Sequence, residues 1–299
     1  MDGREREHIA MRISIISIAV NVLLSGFKLV AGLLAHSGAM LSDAVHSLSD
    51  VLSTFVVIAG VRIARRDSDR GHPYGHERME CVAAILLSFL LFMTGLAIGW
   101  SGIEKMIGQA PLPTPGRLAL VAAVVSVVVK EGMYRVTRRA AKRIQSSALM
   151  ADAWHHRSDA LSSIGSFAGI LGARLGLPIL DPIAGVVICL FIGKAAVDIF
   201  RDAIGRMTDQ SCPEAEVERL RLAALAQDGV LGVDLLKTRL FGDRVYVDVE
   251  IRADGEASLR EAHEVAQRTH DAIEREFPQV KHCMVHVNPA PERKMKWQE

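Results

Sequence analysis

Long apolar segments alternate with short polar segments over the first two thirds of the chain. The apolar segments cover residues 13–34, 39–64, 80–107, 117–137, 147–173 and 179–205. Each is near or above the roughly 20 residues that a helix needs to cross the hydrocarbon core of a bilayer. The pattern therefore predicts a six-helix transmembrane bundle formed by residues 1–208.

Residues 209–299 follow the pattern of a small soluble domain. Two amphipathic helices, a pair of strands around a tight turn and a last strand are indicated, in the order αββαβ. They cover residues 213–227, 232–241, 244–252, 258–277 and 281–288. Ser258 with Glu261 three residues later is typical of a helix capping box. We therefore expect a small α+β, metallochaperone-like domain whose helices cover one face of the sheet.

Composition supports this division and excludes some partners. Half of the 299 residues (50%) are hydrophobic although 23% are charged, so the two characters must be segregated along the chain. The net charge is only +1, and no long basic run is present, which argues against a nucleic-acid partner. The four cysteines form no CxxC pair, so neither a disulfide framework nor a thiolate zinc site is predicted.

Basic residues indicate the orientation of the bundle. They concentrate between the second and third spans and between the fourth and fifth spans, whereas the opposite loops carry few. By the positive-inside rule, these loops, the amino terminus and the tail domain are cytoplasmic. The charged amino terminus has no signal-peptide cleavage site and is interpreted as a cytoplasmic lead-in to a retained helix.

Ionisable residues interrupt the second and fifth spans at helical spacing. Asp43, His46 and Asp50 are spaced i, i+3, i+7, and His155 and Asp159 are spaced i, i+4, so each set shares one helix face. A polar residue in a span can simply hydrogen-bond to a neighbour. Several charges at bilayer depth are harder to explain in that way, because each costs about 2.5 to 3.5 kcal/mol. Two imidazoles and two carboxylates match the tetrahedral preference of zinc.

Two further residues beside this set are assigned other roles. His156 points about 100° away from His155 around the helix, so it is expected to pack against a ligand and not to bind metal. Asp43 is expected to support a ligand or to accept a proton.

The loop after the second span carries a separate candidate site. Asp69, His72 and His76 lie within eight residues in a segment too polar to be buried in lipid. Three such side chains on a short loop suit a metal ion. The alternative is a solvated turn shaped by the glycines and the proline of the same segment.

The paired motifs HSLSD at 46–50 and HHRSD at 155–159, with six spans and an αββαβ tail, resemble the cation diffusion facilitator family. The resemblance implies a homodimeric exporter, paired through its cytoplasmic domain and membrane helices in a bacterial inner membrane. It implies a tetrahedral transport site between helices two and five. The residues that match it are His46, Asp50, His155 and Asp159.

The resemblance also implies sites outside the bundle. The loop residues Asp69, His72 and His76 match a site at the junction of the two domains. A binuclear site at the dimer interface of the tail domain would use Asp234, Asp248, His263 and His286. Two histidines of that family site are aspartates here, and an acid is replaced by Asn288. Arg78 and Asp209 match charges that interlock near the membrane surface.

The predicted function is export of a divalent transition metal by proton antiport and alternating access, not enzymatic catalysis. Zinc is the first choice, with iron, manganese, cobalt and cadmium left open, since all accept N and O ligands. The alternatives are a membrane metal sensor or assembly scaffold of the magnetosome type, and a channel. A membrane metalloenzyme is disfavoured because no free carboxylate stands ready as a general base.

Overall fold

The computed structural model describes residues 3–34, 38–107, 117–174 and 180–290. Within the helices, some side chains lie outside this description, among them those of residues 34–49 and 165–182. The chain divides into two compact units, Met1–Ile204 and Gly205–Glu299.

The described residues of the first unit form six long helices. They are α1 (Gly3–Leu34), α2 (Gly38–Ala64), α3 (Met79–Ile107), α4 (Arg117–Ile144), α5 (Ser147–Arg174) and α6 (Leu180–Met207), whose last turn belongs to the second unit. Two helices differ from the predicted spans. Helix α1 begins at Gly3 and not at residue 13, and α4 ends at Ile144 and not at residue 137, because charged turns continue each helix beyond its apolar segment.

Hydropathy alone identifies fewer spans than the helix count. Among the described residues, two segments are both long and apolar enough to cross a membrane, Glu5–Val30 and Met79–Glu104. This number refers only to residues whose side chains are described, and those of the first half of α2 and of α5 after Ile164 are not among them. The distribution of polar and apolar side chains gives further evidence for the membrane assignment.

Helix α1 shows that distribution clearly, because its polar face is buried and its apolar face is exposed. Ser14, Ser17, Asn21 and Lys28 are at most 3% exposed, whereas Leu23 is 73% exposed. The outer surfaces of α3 and α6 are apolar as well, with large exposed side chains at Phe89, Trp100, Leu190 and Phe191. In water the opposite arrangement would be stable. A polar interior inside an apolar surface is the arrangement that lipid favours.

Close packing joins α2 to α3 in the core of this unit. Val57 and Val61 of α2 contact a cluster that includes Leu87 and Leu91 of α3. A Cβ atom at Gly60 would lie 2.4 Å from the Cβ of Ala83. A glycine is needed there because the two helices approach so closely.

The second unit has the predicted order αββαβ. Its elements are α7 (Glu214–Leu225), β1 (Gly232–Phe241), β2 (Arg244–Ala253), α8 (Leu259–Glu276) and β3 (Val280–Pro289). Strand β2 is central, antiparallel to β1 and parallel to β3. Gly242 lies in the hairpin turn with a positive φ of 61°, and the capping box of Ser258 and Glu261 is present.

One face of the sheet packs against the helices and the other is open. Val247, Val249 and Ile251 of β2 share a core with Val265 and Ile273 of α8. Side chains alternate along a strand, so Asp248 points to the open face together with Met284, its register partner on β3. The open face is therefore available to another molecule.

Candidate metal-transport site

Helices α2 and α5 bring three of the four predicted transport ligands together. Asp50 of α2 and His155 and Asp159 of α5 each offer a ligand atom, and these atoms lie within 4.8 Å of one another. All three residues are buried, with exposed fractions of 2%, 9% and 7%. The four-residue spacing of His155 and Asp159 places both on the side of α5 that faces Asp50.

His46, the predicted fourth ligand, belongs to a helix whose backbone the structure describes, but its side chain is not described. His46 is in α2, one helical turn before Asp50, and Asp43 is one turn earlier. The side chains of both residues fall outside the description. The tetrahedral set of four ligands and the supporting role of Asp43 stay predictions.

A lysine that sequence reasoning missed lies in the middle of this cluster. The Nζ of Lys130, in α4, donates to Oδ2 of Asp50 at 2.5 Å and to Oδ2 of Asp159 at 2.9 Å. Lys130 is 1% exposed. The signal was present in the sequence, because Lys130 interrupts an apolar run in the fourth span. The rule that an ionisable residue at bilayer depth marks function applies to it as well.

The cluster combines two carboxylates, one ammonium and one imidazole in a buried space. Nε2 of His155 lies 3.3 Å from Oδ1 of Asp50, so the same carboxylate contacts both the imidazole and the ammonium. Nitrogen and oxygen donors of this kind suit divalent transition metals. The arrangement therefore suits a cation, and the ammonium of Lys130 contacts two of the candidate ligands.

A second buried polar group adjoins the first on the side of α1. Nε2 of His156 lies 2.6 Å from Oγ of Ser17, and Oγ1 of Thr54 donates to Oδ1 of Asp152 at 3.3 Å. Asp152 and His156 are both 0% exposed. His156 thus contacts α1 and lies apart from the group of candidate ligands. Sequence reasoning did not single out Asp152, although it shares a helix face with His156.

The loop between α2 and α3 folds into a compact group of three candidate ligands. Ligand atoms of Asp69, His72 and His76 lie within 4.8 Å of one another. Oδ1 of Asp69 accepts hydrogen bonds from the backbone N–H groups of His72 and Gly71, at 2.7 and 2.8 Å. These bonds, that of His72 first, lower the pKa of Asp69 and keep it ionised.

The same contacts are those of an Asx turn, so both interpretations of this loop persist. The group is more exposed than the transport site, although His76 is half-buried. Gly75 has a φ of 98° and provides the bend that brings His76 back to Asp69, with Nε2 and Oδ2 3.5 Å apart. The arrangement suits a divalent ion, and the loop site stays a prediction.

The four predicted ligands of the tail domain do not converge within one chain. Asp248 and His286 lie on the open face of the sheet, whereas His263 is exposed on α8, which packs on the opposite face. Asp234 interacts with Nε of Arg252 at 2.8 Å and with Nδ2 of Asn288 at 3.2 Å. The expected convergence of strand and helix is therefore not seen in a single chain, and a site between two copies stays a prediction.

Cys283 of β3 lies in the core between the sheet and the helices, where its thiol is buried. Burial, with help from the charge of Glu274, raises the pKa of this thiol to about 12. The predicted pairing of Arg78 with Asp209 joins residues of separate units and stays a prediction.

Comparison with known proteins decides the family. The cation efflux transmembrane domain matches residues 14–207, and the cytoplasmic domain of cation efflux proteins matches residues 212–290. The chain belongs to the cation diffusion facilitator family. It is thus a member of a family of integral membrane proteins that export metal cations, as its motifs predicted.

Three relatives illustrate the range of this family. The chain is 35% identical to the uncharacterized transporter MJ0449 of Methanocaldococcus jannaschii, over 92% of this chain and 96% of the relative. It is 31% identical to the manganese efflux system protein MneS of Bacillus subtilis, over 94% and 96%. It is 32% identical to the magnetosome protein MamM of Magnetospirillum gryphiswaldense, over 86% and 81%.

Proposed function

We propose that this cation diffusion facilitator exports a divalent transition metal from the cytoplasm, with zinc as the preferred ion, in exchange for protons. The observation that carries the proposal is the buried group of Asp50, His155 and Asp159 on facing helices. Residues 1–208 would cross the membrane as six helices, with both termini in the cytoplasm. Residues 209–299 would form the cytoplasmic domain.

The chemistry of the ligands supports exchange with protons. An imidazole binds metal only in its neutral form, and a carboxylate binds it only when ionised, so protons and metal compete for the same atoms. Histidine changes charge in the physiological pH range. Protons that enter from an acidic outer side would therefore release the ion, and alternating access would return the protonated site to the cytoplasm.

Flux measurements test the proposal. Purified protein in liposomes should accumulate zinc when the cytoplasmic side faces the bath and the liposome interior is more acidic than the bath. His155→Ala or Asp159→Asn should abolish the flux. Asp198→Asn is the matched control, because Asp198 pairs with a lysine as Asp159 does, in this case Lys194 of the same helix, but is exposed. Normal zinc uptake by the Asp159→Asn protein would refute the site assignment.

The identity of the metal needs a separate arm of that experiment. The manganese in the name of the relative MneS makes manganese the main competitor of zinc. Iron, cobalt and cadmium complete the panel. A preference for manganese would leave the transport site in place and change only its substrate.

A scaffold or sensor role is the second candidate, because MamM, a magnetosome protein, is among the relatives. Such a protein would bind metal without moving it. Metal binding by the purified protein with no flux for any ion of the panel would favour this role over export.

The loop would add a second metal-binding site, and the tail domain would add a surface for a second copy of the chain. The loop group is proposed to bind the ion near the membrane surface, and Asp69→Asn should lower the number of ions bound per chain. Asp67→Asn, a change of an exposed acid in the same loop, is its control.

The open face of the sheet is proposed to pair with a second copy of the chain. Sedimentation of the purified chain as a monomer would contradict this.

A further inference from the structure

We propose that Lys130 is a tethered cation that occupies the transport site while the metal is absent, and that the metal binds only when this ammonium withdraws. The inference rests on the proposed export function. It adds a residue from α4 to a site otherwise built from α2 and α5.

The ammonium of Lys130 contacts both carboxylates of the candidate site. Its Nζ lies 2.5 Å and 2.9 Å from the Oδ2 atoms of Asp50 and Asp159, two of the three candidate ligands. A divalent ion needs the same carboxylates, at about 2.0 to 2.2 Å for zinc. Two cations within one small buried cluster repel each other strongly, because little solvent lies between them. Metal and ammonium therefore compete for the two carboxylates.

The charges around the site give the ammonium a function in the empty state. Without a cation, two buried carboxylates would be left uncompensated, which is strongly unfavourable. With Lys130 in place, the net charge of the two carboxylates and the ammonium is −1 and not −2, so fewer protons are needed to neutralise the metal-free site. Lys130 would therefore favour the return of the protonated, metal-free carrier through a low-dielectric interior.

The neighbouring acid does not share this role. Glu131, the next residue of α4, is paired with Nη1 of Arg157 and with Nε of Arg135, the latter at 2.9 Å. Lys130 forms its ion pairs with Asp50 and Asp159 instead. Its flexible four-carbon stem allows the ammonium to move away when a stronger cation arrives.

Replacement of Lys130 by methionine, which removes the charge and keeps an unbranched side chain one atom shorter, tests the proposal. In an Asp69→Asn background, which removes the loop site, Lys130→Met should bind zinc about tenfold more tightly or better, by equilibrium dialysis of the detergent-solubilised protein. In liposomes it should keep zinc–zinc exchange but lose most of its net uptake, because the empty carrier returns slowly. Lys194→Met removes an exposed lysine that pairs with Asp198, and it should change neither quantity.

Thermal stability gives a second measurement for a variant that folds poorly. Zinc should raise the melting temperature of Lys130→Met more than that of the unsubstituted protein, because the ion replaces the missing ammonium. Lys130→Arg keeps the charge and should keep the weaker zinc affinity. A protein that fails to move any ion of the panel would refute the export function, while the binding comparison would still test Lys130.

Three results would overturn the inference. The first is that Lys130→Met binds zinc as tightly as the unsubstituted protein, or more weakly. The second is that zinc raises the melting temperature of Lys130→Met no more than that of the unsubstituted protein. The third is that Lys130→Arg binds zinc more tightly. Each would assign Lys130 to a fixed structural ion pair.

Discussion

Replacement of Asp50 by asparagine should destabilise the bundle as well as stop transport. Asp50 is 2% exposed and contacts both Nζ of Lys130, at 2.5 Å, and Nε2 of His155, at 3.3 Å. Asparagine keeps the shape but removes the charge, which leaves the buried ammonium with one carboxylate, that of Asp159. Removal of one partner of a buried ion pair costs about 3 to 5 kcal/mol. That is a large fraction of the free energy of unfolding of a typical protein, which is roughly 5 to 15 kcal/mol.

A double substitution separates the ion pair from other effects of the change. Lys130→Met alone leaves two carboxylates without the ammonium, those of Asp50 and Asp159, whereas Asp50→Asn combined with Lys130→Met leaves only that of Asp159. The double variant should therefore be less destabilised than the sum of the single variants, by about 3 kcal/mol, since contacting residues are not additive. It should still transport no metal, because a ligand is missing.

The assay is reversible unfolding in mixed detergent micelles, followed by tryptophan fluorescence, with zinc flux measured on the same preparations. The matched cycle uses Asp198→Asn and Lys194→Met, an ion pair of 2.7 Å with both side chains more than half exposed. Exposed pairs contribute under about 1 kcal/mol, so this cycle should be additive within that limit. Additive free energies for the Asp50 and Lys130 cycle would refute the reasoning.

Three further predictions concern packing, a cysteine and a helix cap. Gly60→Ala should lower the free energy of unfolding by about 1 to 3 kcal/mol, because the new Cβ would clash with Ala83. Gly132→Ala, which has open space around it, should be neutral or stabilising. Thermal unfolding of both variants measures the difference. The raised pKa of Cys283, about 12, keeps its thiol almost entirely protonated at pH 8. Iodoacetamide reacts with the thiolate, so it should label Cys283 roughly a thousandfold more slowly in the folded protein than after denaturation. Peptide mass spectrometry measures the two labelling rates. Ser258→Ala should cost about 1 kcal/mol by loss of the cap of α8, and an unchanged melting temperature of the second unit would contradict it.

The sequence was most informative where structure depends on local patterns. The order αββαβ, the Gly242-Asp243 turn and the capping box at Ser258 were all predicted, because each depends on residues close together in the chain. The same holds for the pairing of His155 with Asp159 on one helix face. Helix ends were predicted less well, as α1 and α4 show, because charged turns have no hydrophobic signal.

Contacts between distant elements were not accessible in this way. Spacing put Asp50 on one face of α2 but did not say that Lys130, 80 residues later, would lie against it. In the tail domain, the sequence did not reveal that Asp234 is held by Arg252 or that His263 faces away from the open side of the sheet. These outcomes depend on which helix and sheet faces meet.

The sequence by itself determined the membrane and soluble patterns, the family motifs and the residue types available for metal binding, because hydrophobic periodicity and ligand spacing are properties of short segments. Only the tertiary structure decided that a lysine shares the site with its candidate ligands. Burial of a charge is favourable only beside a partner, and the partners come from helices that are far apart in the chain and adjacent in the folded bundle.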